Sequence, residues 1–251
     1  MDLDELSSLD ELDGLVWRGR STRWARAALP TGFAAFDSYL PGGGWPLGGL
    51  IEVFVERYGI GELTLLIPAL SALSRAGPQN NRKWIVWIAP PFVPYAPALK
   101  QRGVDVDAML LVQPAVRNKD KNKDCLWTVE QVIRSGSSSG VLAWLAAADD
   151  VALRRLQLAA EEQGCWTVLF RPLAARRERS PAALRIGVSQ CAAATRVQID
   201  KCRGAGPGVV DITEALLVLN RRFSNGSSVV REPAAGSVSC GATGASGGTA
   251  G

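Results

Sequence analysis

Histidine is absent from all 251 residues of the chain. This absence excludes a Ser-His-Asp triad, a cysteine nucleophile activated by histidine, and a zinc site of the HExxH type. It also removes the one side chain whose ordinary pKa lies near neutrality. Any enzymatic chemistry would therefore depend on carboxylates, lysine or a bound metal ion.

Cysteine is scarce and follows no pairing pattern. The five cysteines are odd in number, scattered, and include no CxxC pair. They are Cys125, Cys165, Cys191, Cys202 and Cys240. The pattern indicates neither a disulfide framework nor a cysteine zinc site, so we expect buried, reduced thiols.

Long apolar runs and strong net charge are also missing. The longest apolar runs, Leu65–Leu73 and Val141–Ala148, fall short of the roughly 18 residues that a membrane span needs. The acidic start of the chain does not resemble a signal peptide, and we expect a cytoplasmic protein without membrane contact. The net charge of +4 does not by itself indicate a nucleic-acid-binding protein.

The composition divides the chain into three parts: an N-terminal arm at 1–28, one domain at 29–219, and a tail at 220–251. In the arm, an acidic segment with leucine at every third position precedes Val16–Arg26, where arginine alternates with tryptophan. The acidic segment either docks on a partner as a helix, or packs on the chain's own domain or frays. The basic segment either holds phosphate and stacks bases, or anchors the arm to a domain surface. The tail is rich in glycine, serine and alanine and has too few large apolar groups to offset its ordering entropy, so we expect disorder.

Between the arm and the tail, short apolar runs alternate with helical patterns. The runs predicted as strands are Ile51–Val55, Trp84–Pro90, Met109–Ala115, Gly140–Ala147 and Trp166–Pro172. Predicted helices are Phe33–Leu40, Leu63–Leu73 and Ala148–Gly164, the last with apolar positions Val151, Leu153, Leu156, Leu158 and Ala159. The alternating segments Ala183–Gln190 and Thr195–Gly204 predict a hairpin. The sequence therefore predicts an α/β fold, with a mostly parallel central sheet flanked by helices and an antiparallel extension at one edge.

The turn after the first long strand has the layout of a phosphate-binding P-loop. A working loop, GxxxxGK[ST], holds phosphate with backbone N–H groups, lysine and a hydroxyl. Gly59 and Gly61 are present, but Glu56 replaces the first glycine, Glu62 replaces the lysine, and Thr64 comes one position late. Two carboxylates facing phosphate at about 4 Å would give a repulsion of several kcal/mol at an effective dielectric constant near 20. We therefore predict a degenerate nucleotide loop that does not bind ATP.

Several segments in the same order resemble the RecA recombinase core. They are Thr31–Val55, Trp87–Pro114 and Thr195–Gly204, and the resemblance extends over about 29–208. The most specific agreements are the pattern TG-x4-D-x2-L from Thr31 to Leu40, the turn GGGWPLGGL, and GVDVDAMLLVQP at Gly103–Pro114. Within that superfamily the chain resembles the ImuA family, which is RecA-like, related to SulA, and belongs to bacterial DNA-damage mutagenesis cassettes.

Two further catalytic positions depart from the RecA pattern. Pro91 stands where the resemblance implies a water-activating acid, and the strand at Gly140–Ala147 ends without a carboxylate for Mg²⁺. Asp149 and Asp150 follow too late and are predicted to cap the next helix. We therefore expect no catalytic residue, no metal site, no cofactor and no ATP hydrolysis.

The resemblance implies a non-catalytic accessory protein of the SOS DNA-damage response. Such proteins support error-prone translesion synthesis with an inactive, ImuB-like Y-family polymerase homologue and an error-prone C-family polymerase, and contact with RecA is also implied. One alternative is a SulA-type inhibitor of cell division that binds FtsZ. Another is a regulator that retains nucleotide binding. The extensions at both ends of the chain and a basic segment favour the first of these hypotheses.

The basic segment is Phe170–Arg185, which lies near the place where a RecA fold projects a DNA-contacting loop. Its arginines are Arg171, Arg176, Arg177, Arg179 and Arg185. Arginines on a loop suit phosphate backbones, so these residues are candidates for weak contact with DNA or with a partner. The alternative is a solvated basic turn. Arg117–Asp124 is mixed in charge and is predicted to be an exposed loop.

Overall fold

The computed structural model describes residues 28–76, 83–114, 121–191 and 194–212. The predicted arm, except for Ala28, and the predicted tail lie outside these ranges, as does Cys240. The predicted domain at 29–219 is described up to Ile212, apart from the internal gaps.

An eight-stranded mixed sheet forms the centre of the described domain. Its strands are β3 (Leu50–Val55), β4 (Trp84–Ile88), β5 (Met109–Val112), β6 (Ser138–Trp144), β7 (Trp166–Pro172), β8 (Leu184–Cys191), β9 (Ala194–Cys202) and β10 (Gly208–Ile212). The order across the sheet is β10-β9-β8-β3-β7-β6-β4-β5. The strands from β8 to β5 in that order run parallel, and β9 runs antiparallel to both β8 and β10. The predicted parallel sheet with an antiparallel edge extension is confirmed. A separate small ribbon pairs β1 (Ala28–Leu29) with β2 (Trp45–Pro46).

Five α-helices are present in the described residues, together with three short 3₁₀ segments. The helices are α1 (Ala34–Asp37), α2 (Ile67–Ser74), α3 (Ala96–Gln101), α4 (Lys121–Arg134) and α5 (Asp150–Gln163). The 3₁₀ segments are Thr64–Leu66, which leads into α2, Val106–Ala108, and Leu173–Arg177. The helix predicted at Phe33–Leu40 is thus reduced to the single turn of α1.

The prediction of an exposed loop at Arg117–Asp124 is wrong for its second half, because Lys121–Asp124 form the first turn of α4. The helix is anchored by Cys125, Val129 and Ile133, which lie one turn apart and are all buried. A stripe with this spacing packs one helix face against the sheet. Tertiary packing therefore extends the helix into a polar stretch that has no helical pattern of its own.

The core has two halves, one on each face of the sheet. Successive side chains of a strand point to opposite faces, and β3 is buried along its whole length. Ile51 and Val53 pack with α2 on one face, while Leu50 packs with α4 and α5 on the other. The sheet is therefore covered on both sides at its centre.

In helix α5, the helical pattern predicted the ends correctly but assigned two exposed residues to the core. Its ends are as predicted: the Asp149 side chain accepts a hydrogen bond from the Ala152 N–H at 2.6 Å, and Gly164 caps the C-terminus with φ 62°. The predicted core positions Val151 and Leu158 are wrong, however, because both side chains are exposed. The buried stripe consists of Ala152, Leu153, Leu156, Gln157, Ala159 and Ala160.

The four described cysteines form no disulfide with one another. Cys125 and Cys165 are buried, whereas Cys191 and Cys202 are partly buried. Burial raises the pKa of Cys165 and raises the pKa of Cys202 to about 11, so both thiols are poor nucleophiles at neutral pH. None of the five helices in the described residues has the length and apolar composition that a membrane span requires.

Candidate functional site

The turn that follows β3 has a backbone shape that depends on glycine. Gly59 and Gly61 have φ values of 84° and 96°, in a region that side chains with a Cβ rarely adopt. The turn leads into the 3₁₀ segment that precedes α2. Its strand, turn and helix layout places backbone N–H groups at the carboxyl end of the central strand, where P-loops hold phosphate.

Glu62 fills this turn with the chain's own negative charge. Its side chain is only 4% exposed, and its two carboxylate oxygens lie 3.0 and 3.1 Å from the Gly59 nitrogen. One of the same oxygens accepts a second hydrogen bond, from the Ile60 N–H at 2.9 Å. The donors that would serve a phosphate therefore already serve a carboxylate. A phosphate group would have to displace that carboxylate and then lie beside its charge.

The other predicted loop residues occupy different positions. Glu56 is exposed, whereas the Glu62 carboxylate accepts hydrogen bonds from the N–H groups of the turn. That Glu56 would also face a bound phosphate stays a prediction. Thr64 is partly buried, and its N–H donates to the Gly61 carbonyl at 2.9 Å. Burial, and then the negative charge of Glu62, raise the pKa of the Tyr58 hydroxyl. The loop is thus closed by one buried carboxylate.

Aromatic rings lie near the carboxyl ends of the neighbouring strands. Trp144, the last residue of β6, stacks on Phe170 of β7 with ring centroids 4.6 Å apart and planes inclined by 14°. Trp87 lies on β4, the other neighbour of β6. Its ring centroid is 5.4 Å from that of Trp144. Pro91 is exposed beyond β4. Among the described residues, no group of three or more side chains suitable for a metal ion is present.

The expected basic surface at Phe170–Arg185 is wrong for two of its five arginines, because Arg171 and Arg185 are buried. Arg171 is 0% exposed, and its guanidinium lies 2.7 Å from Glu52 and 2.7 Å from Glu178. Arg185 lies 2.8 Å from the second carboxylate oxygen of Glu52 and over the ring of Phe54. These two guanidinium groups neutralise a buried carboxylate and cannot reach a phosphate backbone.

Arg176 is also engaged within the chain. Its guanidinium donates to both carboxylate oxygens of Asp200 on β9, with Nε 2.6 Å from Oδ2. Arg177 and Arg179 remain exposed. They are the two members of the predicted set whose side chains are available to DNA or a partner, and that contact stays a prediction.

Glu52 is the residue at the centre of this network that the sequence reasoning missed. It is fully buried on β3, and the sheet register places it directly opposite Arg185 on β8. On the other side it faces Leu169 of β7, two residues before Arg171. The available signal was a lone glutamate inside the apolar run Leu50–Val55, because a buried charge requires a partner. The network ties β3, β7 and β8 to the 3₁₀ segment at Leu173–Arg177, whose carbonyls also accept hydrogen bonds from Arg185.

Comparison with known proteins places this geometry in a family. No protein-family model matches the chain. Protein RecA of Clavibacter michiganensis subsp. michiganensis is 34% identical over 130 residues, which cover 49% of this chain and 32% of that protein. This similarity supports a RecA-like α/β core for the sheet described above. The crystal structure of SulA from Pseudomonas aeruginosa is 28% identical and covers 49% of this chain and 97% of SulA, with a TM-score of 0.38. A TM-score this low supports no further conclusion.

Protein ImuA of Caulobacter vibrioides (strain NA1000 / CB15N) has the more extensive similarity. It is 30% identical over 210 residues, and the match covers 74% of this chain and 83% of that protein. Protein ImuA from a second strain, ATCC 19089 / CIP 103742 / CB 15, matches with the same values. With this identity over most of both proteins, the chain belongs to the ImuA family.

Proposed function

We propose that this chain is a non-catalytic accessory protein that supports error-prone translesion synthesis in the SOS response. Membership of the ImuA family supports a role in that pathway. The proposed partners are an ImuB-like Y-family polymerase homologue and an error-prone C-family polymerase, with RecA as a further candidate and the cytoplasm as the compartment. In this proposal the RecA-like domain binds other proteins and carries out no chemistry itself.

The position of Glu62 is the observation that supports the proposed absence of catalysis. Its carboxylate accepts hydrogen bonds from the N–H groups of Gly59 and Ile60, which a nucleotide phosphate would need. Binding ATP would require breaking these bonds and placing two negative charges side by side. At about 4 Å and an effective dielectric constant near 20, such repulsion amounts to about 4 kcal/mol. This penalty acts against ATP binding before any catalytic group is considered.

The residues at or beyond the carboxyl ends of β4 and β6 support the same proposal. Pro91 stands where the resemblance implied a water-activating acid. Strand β6, which ends at Trp144, carries no carboxylate that could hold a metal ion. Trp144 is part of a stack of aromatic rings, and a ring offers no ligand to Mg²⁺, which prefers oxygen. What the described domain retains is an eight-stranded sheet with exposed loops, which suits binding to other proteins.

Calorimetric titration with ATP and Mg²⁺ at millimolar concentration tests the absence of nucleotide chemistry. We expect no saturable heat of binding and no release of phosphate. ATP turnover that disappears in a Glu62→Gln or Thr64→Ala variant would overturn the proposal.

A binding experiment with purified proteins tests the accessory role. The full chain is immobilised and exposed separately to the Y-family polymerase homologue of the same organism and to FtsZ. Capture of the homologue without FtsZ supports the proposal. Capture of FtsZ alone, together with filamentous cells on overexpression, would identify a division inhibitor instead.

A further inference from the structure

Helix α5 carries a stripe of exposed residues on the side that faces away from the sheet. Val151, Arg154, Leu158 and Glu162 are three or four positions apart, a spacing that aligns their side chains along one helix face. All four are exposed, and the two apolar members, Val151 and Leu158, are 66% and 56% exposed. The buried stripe of the same helix packs on the sheet, so the exposed stripe is free to contact another molecule.

The two charges of the stripe are placed symmetrically about Leu158. Arg154 comes four positions before the leucine and Glu162 four positions after it, so each lies about 6 Å from it along the helix axis. The two charges are therefore about 12 Å apart along the axis, too far to pair within the helix. If two copies of α5 pack antiparallel with Leu158 against Leu158, each arginine lies opposite a glutamate. The stripe is thus complementary to itself under a twofold rotation, as a symmetric dimer requires.

The charges next to the stripe are used within the chain, whereas those of the stripe are not. Arg155 lies 3.3 Å from Glu130 on α4, and Glu161 lies 3.1 Å from an arginine beyond the end of β9. Arg154 and Glu162 form no ion pair with any residue in the described ranges. The two charges that a twofold rotation would bring together are therefore the two that the described domain leaves unpaired.

Helix α4 lies beside α5 and adds a large apolar side chain to this surface. Asn122 exchanges two hydrogen bonds with Ala147, and eight residues further along both segments Glu130 contacts Arg155. The two helices therefore run side by side in the same direction and in a fixed register. Trp127 lies between these contacts on α4 and is 65% exposed, near the N-terminal end of the stripe. An antiparallel second copy would place the C-terminal end of its own α5 there.

We propose that the chain forms a symmetric homodimer through α5, with the twofold axis at Leu158. The two leucines pack on each other, and Arg154 of each copy pairs with Glu162 of the other. One helix face and one tryptophan form a contact at the small end of specific interfaces, so we expect a dissociation constant of about 10 μM. The dimer is independent of the proposed function. It would present every partner-binding surface twice, which strengthens binding to a partner that has two sites.

The test reverses the two charges of the stripe and measures the dimer by sedimentation equilibrium of the full chain. Arg154→Glu or Glu162→Arg alone places like charges opposite each other at both ends of the contact, and we expect the dissociation constant to rise by about tenfold or more. The two changes together restore opposite charges between the copies, and the dissociation constant should return to within about threefold of the original. Reversal is used because removing one exposed charge changes the strength of such a contact little. Recovery in the double variant can come only from contact between copies, because the two residues do not reach each other within one helix.

Leu158→Lys tests the centre of the contact, because it places two lysines together at the twofold axis. We expect this variant to sediment as a monomer at about 200 μM, roughly twentyfold above the expected dissociation constant. Leu110→Lys is the matched control, since Leu110 is also an exposed leucine, at 45%, but lies on β5. The control should dimerise with a dissociation constant within about twofold of the original. Circular dichroism and thermal unfolding verify the fold of each variant.

Any of three results would overturn the dimer. The first is an unmodified chain that remains monomeric at about 200 μM. The second is a double charge reversal that dimerises as weakly as the single reversals, because the two charges would then not face each other. The third is a dimer that Leu110→Lys abolishes and Leu158→Lys leaves intact, because another surface would then join the copies. Each of these results would leave the proposed function standing, since that function is tested separately by capture of the Y-family homologue.

Discussion

At the scale of single residues, the Glu62 carboxylate closes the loop after β3 by accepting hydrogen bonds from the loop's own backbone N–H groups. Replacing it with alanine leaves the N–H groups of Gly59 and Ile60 without their partner, and a buried donor left unpaired costs about 1–3 kcal/mol. We expect Glu62→Ala to lower the free energy of unfolding by that amount, measured by urea unfolding with tryptophan fluorescence. Glu56→Ala is the control, because this exposed residue of the same loop should change stability by less than about 0.5 kcal/mol. If the two changes lowered the free energy of unfolding equally, the hydrogen bonds described for Glu62 would be contradicted.

Glu52 gives a second prediction at this scale. Without its carboxylate, Arg171 and Arg185 would keep buried charges with too little compensation, and breaking a buried ion pair typically costs about 3–5 kcal/mol. We expect Glu52→Gln to lower the urea midpoint by an amount that corresponds to this range. The surface pair Arg196–Asp211 provides the comparison, and Asp211→Asn should leave the midpoint nearly unchanged. A Glu52→Gln variant as stable as the unmodified chain would contradict the role assigned to the network.

The contrast between Glu62 and Arg171 shows what the sequence can and cannot predict about a site. A carboxylate at the lysine position of a P-loop is visible in the sequence, because the loop is local and its spacing is fixed. The environment of Arg171 is not visible, because it depends on which strands are neighbours. Glu52 lies 119 positions away along the chain and becomes its partner only through the order β8-β3-β7. An arginine-rich segment therefore suggested a surface where the fold forms a buried ion network.

At the scale of secondary-structure elements, α5 ends at Gly164, a position where any residue with a Cβ would have a strained backbone. Gly164 has φ 62°, and a left-handed conformation costs a residue with a Cβ roughly 1–2 kcal/mol. A Cβ at this position would meet no atom within 4 Å, so Gly164→Ala should lose stability through the backbone alone. Gly206→Ala is a matched control, because that glycine also has open space but no left-handed φ. Equal thermal stability of the two variants would show that the cap is not strained by alanine.

Elements were predictable where the local pattern agrees with the final packing. The apolar run Trp166–Pro172 becomes β7 with the same bounds, because a central strand is buried on both faces and has no polar alternation. Helix α4 was not predicted, since its first turn is polar and its helical state depends on Cys125, Val129 and Ile133 packing on the sheet. Strand β10 was also not predicted, because this short edge strand with an exposed Val209 depends on pairing with β9. In both cases a tertiary contact decides the local structure.

At the scale of the whole molecule, two exposed arginines remain from the segment expected to contact DNA. If Arg177 and Arg179 bind phosphates, replacing both with alanine should weaken single-stranded DNA binding and flatten its dependence on salt, with the logarithmic slope reduced by about 0.7 per lost contact. Arg154→Ala with Arg155→Ala on α5 is the double control, since this change also removes two exposed arginines that are close in the sequence. Fluorescence anisotropy over a range of salt concentrations measures both. Unchanged slopes would leave the segment as a solvated turn.

In the proposed non-catalytic role, the residues that oppose ATP hydrolysis are distributed over the molecule, so a repaired loop should not produce hydrolysis. Glu62→Lys with Leu63→Thr would return the lysine and the hydroxyl to the turn after β3, yet Pro91 and Trp144 would still stand at the ends of β4 and β6. Neither residue can activate water or hold Mg²⁺ through an oxygen ligand, and three separate losses require three separate reversals. We expect the variant to release no phosphate from ATP above background in a coupled assay. Circular dichroism verifies its fold, and Glu62→Gln with Leu63→Thr replaces it if the lysine proves too disruptive in a buried position. Phosphate release by either folded variant would show that the remaining parts of the domain can support hydrolysis, and that the residues at positions 62 and 63 are what prevents it.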